Sequence, residues 1–168
     1  MTILIQDSFT DADDTTLASH SPNVGGAWVP ISGYANAVIG SNMLTMGMIG
    51  EARYYNNIGQ YANSYAQIVT DDTFTRLFLR YIDENNYYYC EINSRYGAVS
   101  IKKRFENVGS LLCYLPFEDR SFGLHTYRFD IVGVTLTVKR DSVVILTCTD
   151  TDIASGYIGL GIISNLLG

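Results

Sequence analysis

The sequence predicts an all-β sandwich or barrel, on three observations. Short strand-like stretches are separated by turn signals along the whole chain. No segment of useful length repeats at a helical period. Residues 73–104 alternate so regularly that three consecutive antiparallel strands choose one register.

That unit carries the clearest signal. Pairing its first two strands across Asp83-Glu84-Asn85-Asn86 sets Ile82 against Tyr87, Tyr81 against Tyr88, Leu79 against Cys90 and Leu77 against Ile92. One face is then apolar. The other carries Arg76, Phe78, Arg80, Ile82, Tyr87, Tyr89, Glu91 and Asn93. The third strand agrees, with Val99 beside Ile92, Ile101 beside Cys90, Ser100 beside Glu91 and Lys102 beside Tyr89. A slip of one residue would exchange the two faces.

The remaining elements follow in order. Residues 2–9 suit a short first strand, ended by the acidic turn Asp11–Asp14. Pro22 and Gly25-Gly26 punctuate a loop. Trp28 opens a strand that Pro30 confines to an edge or a bulge. Short strands are expected at Asn36–Ile39 and Met43–Met46, and a longer one at Gln60–Thr70. Beyond the central unit, Val108–Leu115 ends at Pro116, and a charged loop covers residues 117–122. In Leu124–Val132, Tyr127, Phe129 and Ile131 point inward while Arg128 and Asp130 point outward. Gly133 and Asp141-Ser142 turn the chain into Val134–Arg140 and Val143–Cys148, and YIGLGII closes it.

Composition narrows the classes of function. A chain of 168 residues fits one domain, read here as a free-standing module over 1–168. A formal charge of −6 argues against nucleic acid, and the one basic run, Lys102-Lys103-Arg104, sits at a strand end. The glycine-interrupted apolar C-terminus argues against membrane insertion. Cys90, Cys113 and Cys148 lack C-x-x-C spacing and read as reduced core residues. The N-terminus has no secretory signal pattern.

Three stretches resemble concanavalin A-like lectin/glucanase (laminin-G-like) domains of bacteriophage virion and bacterial surface proteins. They are DSFTDADDTTLASHSPNVGGAWVPISG, FLRYIDENNYYYCEINSRYGAVSIKKR and TYRFDIVGVTLTVKRDSVVILTCTDTDIASGYIGLGI. The first carries the pattern D-x-F-T-D, L-x-x-H-x-P, G-G-x-W through Asp7, Phe9, Asp11, Leu17, His20, Pro22 and Trp28. The resemblance implies a two-sheet antiparallel jelly-roll sandwich. It also implies a setting in a virus particle after synthesis in a host cytoplasm, or else at a cell surface.

Glucanases of this fold carry carboxylates at alternate positions of one strand, and no such run exists here. Glu91 stands alone on its strand face, and Asp130 lies on a different strand that could still bring the two together. The acidic clusters Asp11–Asp14 and Asp150–Asp152 read as solvated turns, with a calcium site as the alternative, and no cofactor is expected. His20 and His125 lack ligand spacing, and His125 reads as a core-edge residue.

What remains is the aromatic and charged sheet face: Arg76, Phe78, Arg80, Tyr87, Tyr89, Glu91 and Lys102. It suits protein docking, glycan binding or no ligand at all. The expected function is a non-enzymatic capsid-decoration or tail accessory protein, multivalent in assembly, whose partners are virion proteins or cell-surface glycans. The alternatives are a carbohydrate-binding module and, last, a glycoside hydrolase.

Overall fold

A computed structural model describes residues 5–34, 36–46, 50–70, 74–93, 96–116, 118 and 120–164. Among them, thirteen strands form two facing antiparallel sheets and one small hairpin. The strands are β1 (Trp28–Pro30), β2 (Val38–Gly40), β3 (Met43–Thr45), β4 (Gly50–Tyr61), β5 (Ser64–Thr70), β6 (Phe74–Asp83) and β7 (Asn86–Asn93). They continue with β8 (Ala98–Phe105), β9 (Val108–Tyr114), β10 (His125–Val132), β11 (Thr135–Arg140), β12 (Val143–Thr149) and β13 (Gly156–Ser164). The larger sheet runs β1-β4-β13-β6-β7-β8-β9 and the smaller β12-β11-β10-β5, while β2 pairs only with β3. This is the expected two-sheet jelly roll.

The core lies between the sheets. Leu77, Leu79, Tyr88, Cys90, Ile92, Val99 and Ile101 meet Tyr127, Phe129, Ile131, Leu136 and Val138, all buried. The inward set expected of β10 is the one observed. A second buried cluster covers the same inner face nearer β4, where Leu17, Trp28 and Ala37 pack on Ala52, Tyr54 and Leu160.

Two-residue hairpins set much of the register. Ser41-Asn42, Glu106-Asn107 and Asp141-Ser142 all take positive φ, the twist that two-residue β-turns require. Pro30 lies on an edge strand, where its missing N–H costs no ladder bond.

The N-terminal motif becomes one network. His20 Nε2 lies 2.8 Å from Asp7 and its Nδ1 3.2 Å from Asp11, while the Trp28 indole N–H donates to Asp7 at 2.6 Å. A ring facing two carboxylates donates from both nitrogens, so the cation is the favoured form. Burial alone would pull the His20 pKa down, but hydrogen bonds to Asp7 and Asp11 outweigh it and raise it.

Three expectations need correction. Of the proposed first strand, residues 2–4 lie outside the described residues, and the remainder makes only a bridge from Gln6 to Val24. The stretch read as one strand over Gln60–Thr70 is two, β4 ending at Tyr61 and β5 beginning at Ser64 in the other sheet. The β6–β7 register differs by two residues: Leu77 faces Cys90, Leu79 faces Tyr88 and Thr75 faces Ile92. A bulge between Leu79 and Asp83, with Arg80 at φ 51°, absorbs the difference and reverses the faces beyond it. The β7–β8 register is the expected one throughout. Thr73, the turn residues 94–95, and residues 117 and 119 of the charged loop are outside the described residues.

Candidate functional site: the outer face of the larger sheet

Alternation places one set of side chains on the outer face, away from the smaller sheet. They are Glu51, Arg53 and Tyr55 of β4, Phe74, Arg76 and Phe78 of β6, Tyr87, Tyr89 and Glu91 of β7, and Ser100 and Lys102 of β8. Between β4 and β6 runs β13, which presents Gly159 and Gly161 there. A Cβ on Gly161 would stand 3.0 Å from the Phe78 ring. The missing side chains give the bulky neighbours room to lie over the strand.

Arg76 is the hub. Its guanidinium bonds Glu91 through Nε at 2.9 Å and Nη2 at 2.7 Å, and also bonds Glu51. Lys102 adds a 2.6 Å bond to Glu91, and Arg53 holds Glu51 at 2.6 and 2.9 Å. Burial alone would raise the Glu91 carboxyl, but hydrogen bonds from Lys102 and Arg76 outweigh it, so Glu91 is held ionised. Arg76 shows the mirror case: burial works against its charge, and the two glutamates more than restore it. Three cations face two anions, so this patch is locally positive on an acidic protein.

Beside the ions lies an aromatic floor. Phe78 and Tyr87 meet edge to face at 5.4 Å, while the Tyr87 and Tyr89 rings lie tilted to each other at 5.5 Å. Ile31 and Tyr34, with Tyr81, Tyr55 and Tyr157, cover one end of this floor. Arg53 stacks 4.2 Å above the Tyr34 ring and donates to the Tyr87 hydroxyl at 3.0 Å. At the other end the face opens into a recess of about 210 Å³, lined by Phe74, Glu91, Asn93, Ser100, Tyr114 and Arg120.

Of the seven residues singled out in the sequence, Arg76, Tyr89, Glu91 and Lys102 meet in one polar and aromatic surface. Phe78 and Tyr87 are on the same face but sealed, at 0% and 3% exposure, and serve as its floor. Arg80 is elsewhere. The bulge buries its guanidinium at one end of the sandwich, where it donates to the carbonyls of Ala62, Gly133 and Ile153 at 2.6–2.9 Å. The cross-strand partner of Glu91 is Arg76.

Sequence reasoning missed Glu51, Arg53 and Tyr55, because Asn56-Asn57-Ile58-Gly59 in β4 looks like a turn. The signal that could have found them was the alternation of Glu51, Arg53 and Tyr55 against Ala52 and Tyr54. Asn56 is buried because its amide holds both the N–H and the carbonyl of Gly26. Asp130 does not join Glu91. It lies on the smaller sheet, bound to Arg128 and Lys139.

Other clusters are internally satisfied. Lys103 pairs with Asp150 and Asp152, and the Tyr88 hydroxyl donates to Asp150. No group of three His, Cys, Asp or Glu among the described residues is arranged to hold a metal. His125 joins Ser121 Oγ at 3.0 Å to Asp141 at 2.6 Å in series. The same Nε2 also lies 3.2 Å from the Phe122 carbonyl. The chain of bonds ties the loop before β10 to the β11–β12 turn. A larger groove of about 520 Å³ opens between the sheets beside β5, next to Phe9, Trp28 and Tyr65. Its carboxylate, Asp7, is already engaged by His20 and Trp28.

Neither a protein-family model nor a curated protein matches the chain. Solved structures do. The carbohydrate-binding module CBM66 from Bacillus subtilis is similar at 13% identity and TM-score 0.60, over 89% of this chain and 86% of that one. The Bacillus licheniformis β-glucanase is similar at 15% identity and TM-score 0.53, over 92% and 86%. A prokaryotic β-1,3-1,4-glucanase (lichenase) from a mouse hindgut metagenome is similar at 16% identity and TM-score 0.56, over 83% and 81%. The chain has the concanavalin A-like jelly-roll fold. The expectation of a non-enzymatic protein is corrected: two of these neighbours are glucanases, and Glu51 supplies the second face carboxylate that the sequence reading lacked. Neither the fold nor the neighbours supports a place in a virus particle.

Proposed function

We propose that the outer face of the larger sheet binds a glycan, with one sugar ring seated in the recess beside Glu91. The observation that carries this is the convergence of two kinds of surface at one place. Phe74 and the 63%-exposed Tyr114 offer aromatic surface for the C–H face of a sugar. Glu91, Asn93 and Ser100 offer acceptors and donors for its hydroxyls. At about 210 Å³ the recess is smaller than drug-sized ligand pockets of ~300–1,000 Å³ and suits a single small ring. The neighbours named for carbohydrate binding and glucan cleavage support the same class of ligand. A glycan array followed by calorimetry tests the proposal. Tyr114→Ala, an exposed substitution that spares the core, should weaken binding at least tenfold. Silence across the array would contradict it.

A second reading rests on the shared guanidinium. Glycoside cleavage needs two carboxyl groups on one face, and Arg76 brings Glu51 and Glu91 within a hydrogen bond of itself. Glu91, held ionised, then serves as base or nucleophile rather than acid. Turnover of β-1,3-1,4-glucan that is lost in Glu91→Gln would establish this reading. Binding without turnover would confine the site to recognition.

A further inference from the structure

We propose that Cys113 and Cys148 form a dithiol pair that closes into a disulfide and ties the two sheets together at their β9–β12 edge. The inference does not depend on the glycan reading. Cys113 lies on β9, opposite Ile101, and Cys148 lies on β12, opposite Leu136. Residues directly opposite one another share a face, and Ile101 and Leu136 are both fully buried between the sheets. Both sulfurs therefore point inward from the two facing edge strands, and both residues pack on that core.

Distance decides whether they can bridge. Sheets packed face to face stand ~10 Å apart, whereas a disulfide needs Cα atoms ~4.4–6.8 Å apart. At this edge the sheets converge, and residues of β9 and β12 approach within 8 Å, Cα to Cα. The two thiols lie close enough that each alters the other's ionisation. Cys90 is excluded on two counts. It is fully buried, and it sits two strands from Cys113, ~9.6 Å at ordinary strand spacing.

The chemistry is asymmetric. Contact between the thiols pulls Cys113 below its ordinary pKa and pushes Cys148 up. Both thiols are partly exposed, and Cys113, the one whose pKa is lowered, is the attacking thiolate. With glutathione disulfide as oxidant, the Cys113 sulfur attacks one glutathione sulfur, breaking the S–S bond and releasing one glutathione thiolate. Cys148 then loses its proton and attacks the Cys113 sulfur of the mixed disulfide, expelling the second glutathione. The protein loses two electrons and two protons, and glutathione disulfide becomes two glutathiones.

The test incubates the folded protein with glutathione disulfide, then counts thiols by alkylation under denaturing conditions and maps the peptides. Of the three cysteines, Cys90 alone should remain alkylable. The mass should fall by about 2 Da for the two hydrogens lost. The cross-linked peptide should join Cys113 to Cys148, and Tm should rise on the order of 10 °C. Cys113→Ala and Cys148→Ala should each abolish the cross-link and the rise. Three free thiols, a lasting glutathione adduct on Cys113, or a cross-link through Cys90 would each overturn the proposal.

Discussion

Arg76 and Arg80 stand one above the other in the sequence of a single strand, yet they belong to different parts of the molecule. Arg76 sits in a continuous ladder and projects from the outer face, where it joins Glu51 to Glu91. Arg80 sits in a bulge at positive φ, and its guanidinium is buried among carbonyls from the β4–β5 turn, the β10–β11 turn and the loop before β13. The same residue type is a surface group in one case and a rivet for three loops in the other. Backbone geometry decides which, because it decides whether the side chain meets carboxylates beside solvent or buried peptide groups.

Removing the rivet should have the largest effect. Arg80→Ala strands three carbonyls and should cost about 3 kcal/mol or more in urea unfolding, since bonds to a charged donor contribute ~1.5–3 kcal/mol each. Arg80→Lys keeps the charge but not the planar fork, and should recover less than half of the loss. A cost below about 1 kcal/mol for Arg80→Ala would show that water replaces the guanidinium at little cost.

Next comes the backbone pressed against that bulge. A Cβ on Gly156 would stand 2.3–2.7 Å from Arg80 backbone atoms, contacts that no rotamer change relieves. Gly156→Ala should cost about 1–3 kcal/mol by overpacking. An unchanged unfolding midpoint would place β13 farther from the bulge.

Substitution of the other arginine should be gentler on the fold and harsher on binding. Arg76→Met keeps packing bulk against Phe74 and Tyr89, whose rings lie 5.9 and 5.3 Å from the guanidinium. The ion pairs it removes are largely buried, but Glu51 keeps Arg53 and Glu91 keeps Lys102, so the cost should be about 1 kcal/mol of stability. Glycan affinity should fall at least tenfold, because Glu91 loses the partner that orients it. A variant that binds normally would detach the ion network from the binding surface.

The smallest effect concerns pH. His20 has a folded pKa raised above its ordinary value, so its contribution is full below about pH 6.5. That contribution is lost as pH rises through the elevated folded pKa. Thermal melts across this window should show a downward slope with rising pH that His20→Gln lacks. Identical slopes would mean that the cation contributes nothing through Asp7 and Asp11.

How much of this was legible in the sequence follows the same division. The β7–β8 pairing was readable because the ladder is unbroken and every apolar residue agrees on a face. The β6 pairing was readable as to face only up to Leu79, and its register was misjudged by two residues. No glycine or proline marks the bulge, which Arg80 enters at a positive φ uncommon for its type. Half of the polar surface was visible as Arg76, Glu91 and Lys102. The other half was hidden in β4, where Asn56 looks like a turn former but spends its amide on Gly26 inside the structure. The spacing of Asp7, His20 and Trp28 was recognisable as a resemblance. Its reason, one carboxylate shared by an imidazole and an indole, is visible only in three dimensions.

The most direct test locates the ligand. Amide chemical shifts should be followed while the glycan that binds best on the array is titrated into isotopically labelled protein. The account predicts perturbations centred on Phe74, Glu91, Asn93, Ser100 and Tyr114, with β10, β11 and β12 silent. Perturbations centred on the groove beside β5, or on the smaller sheet, would contradict it.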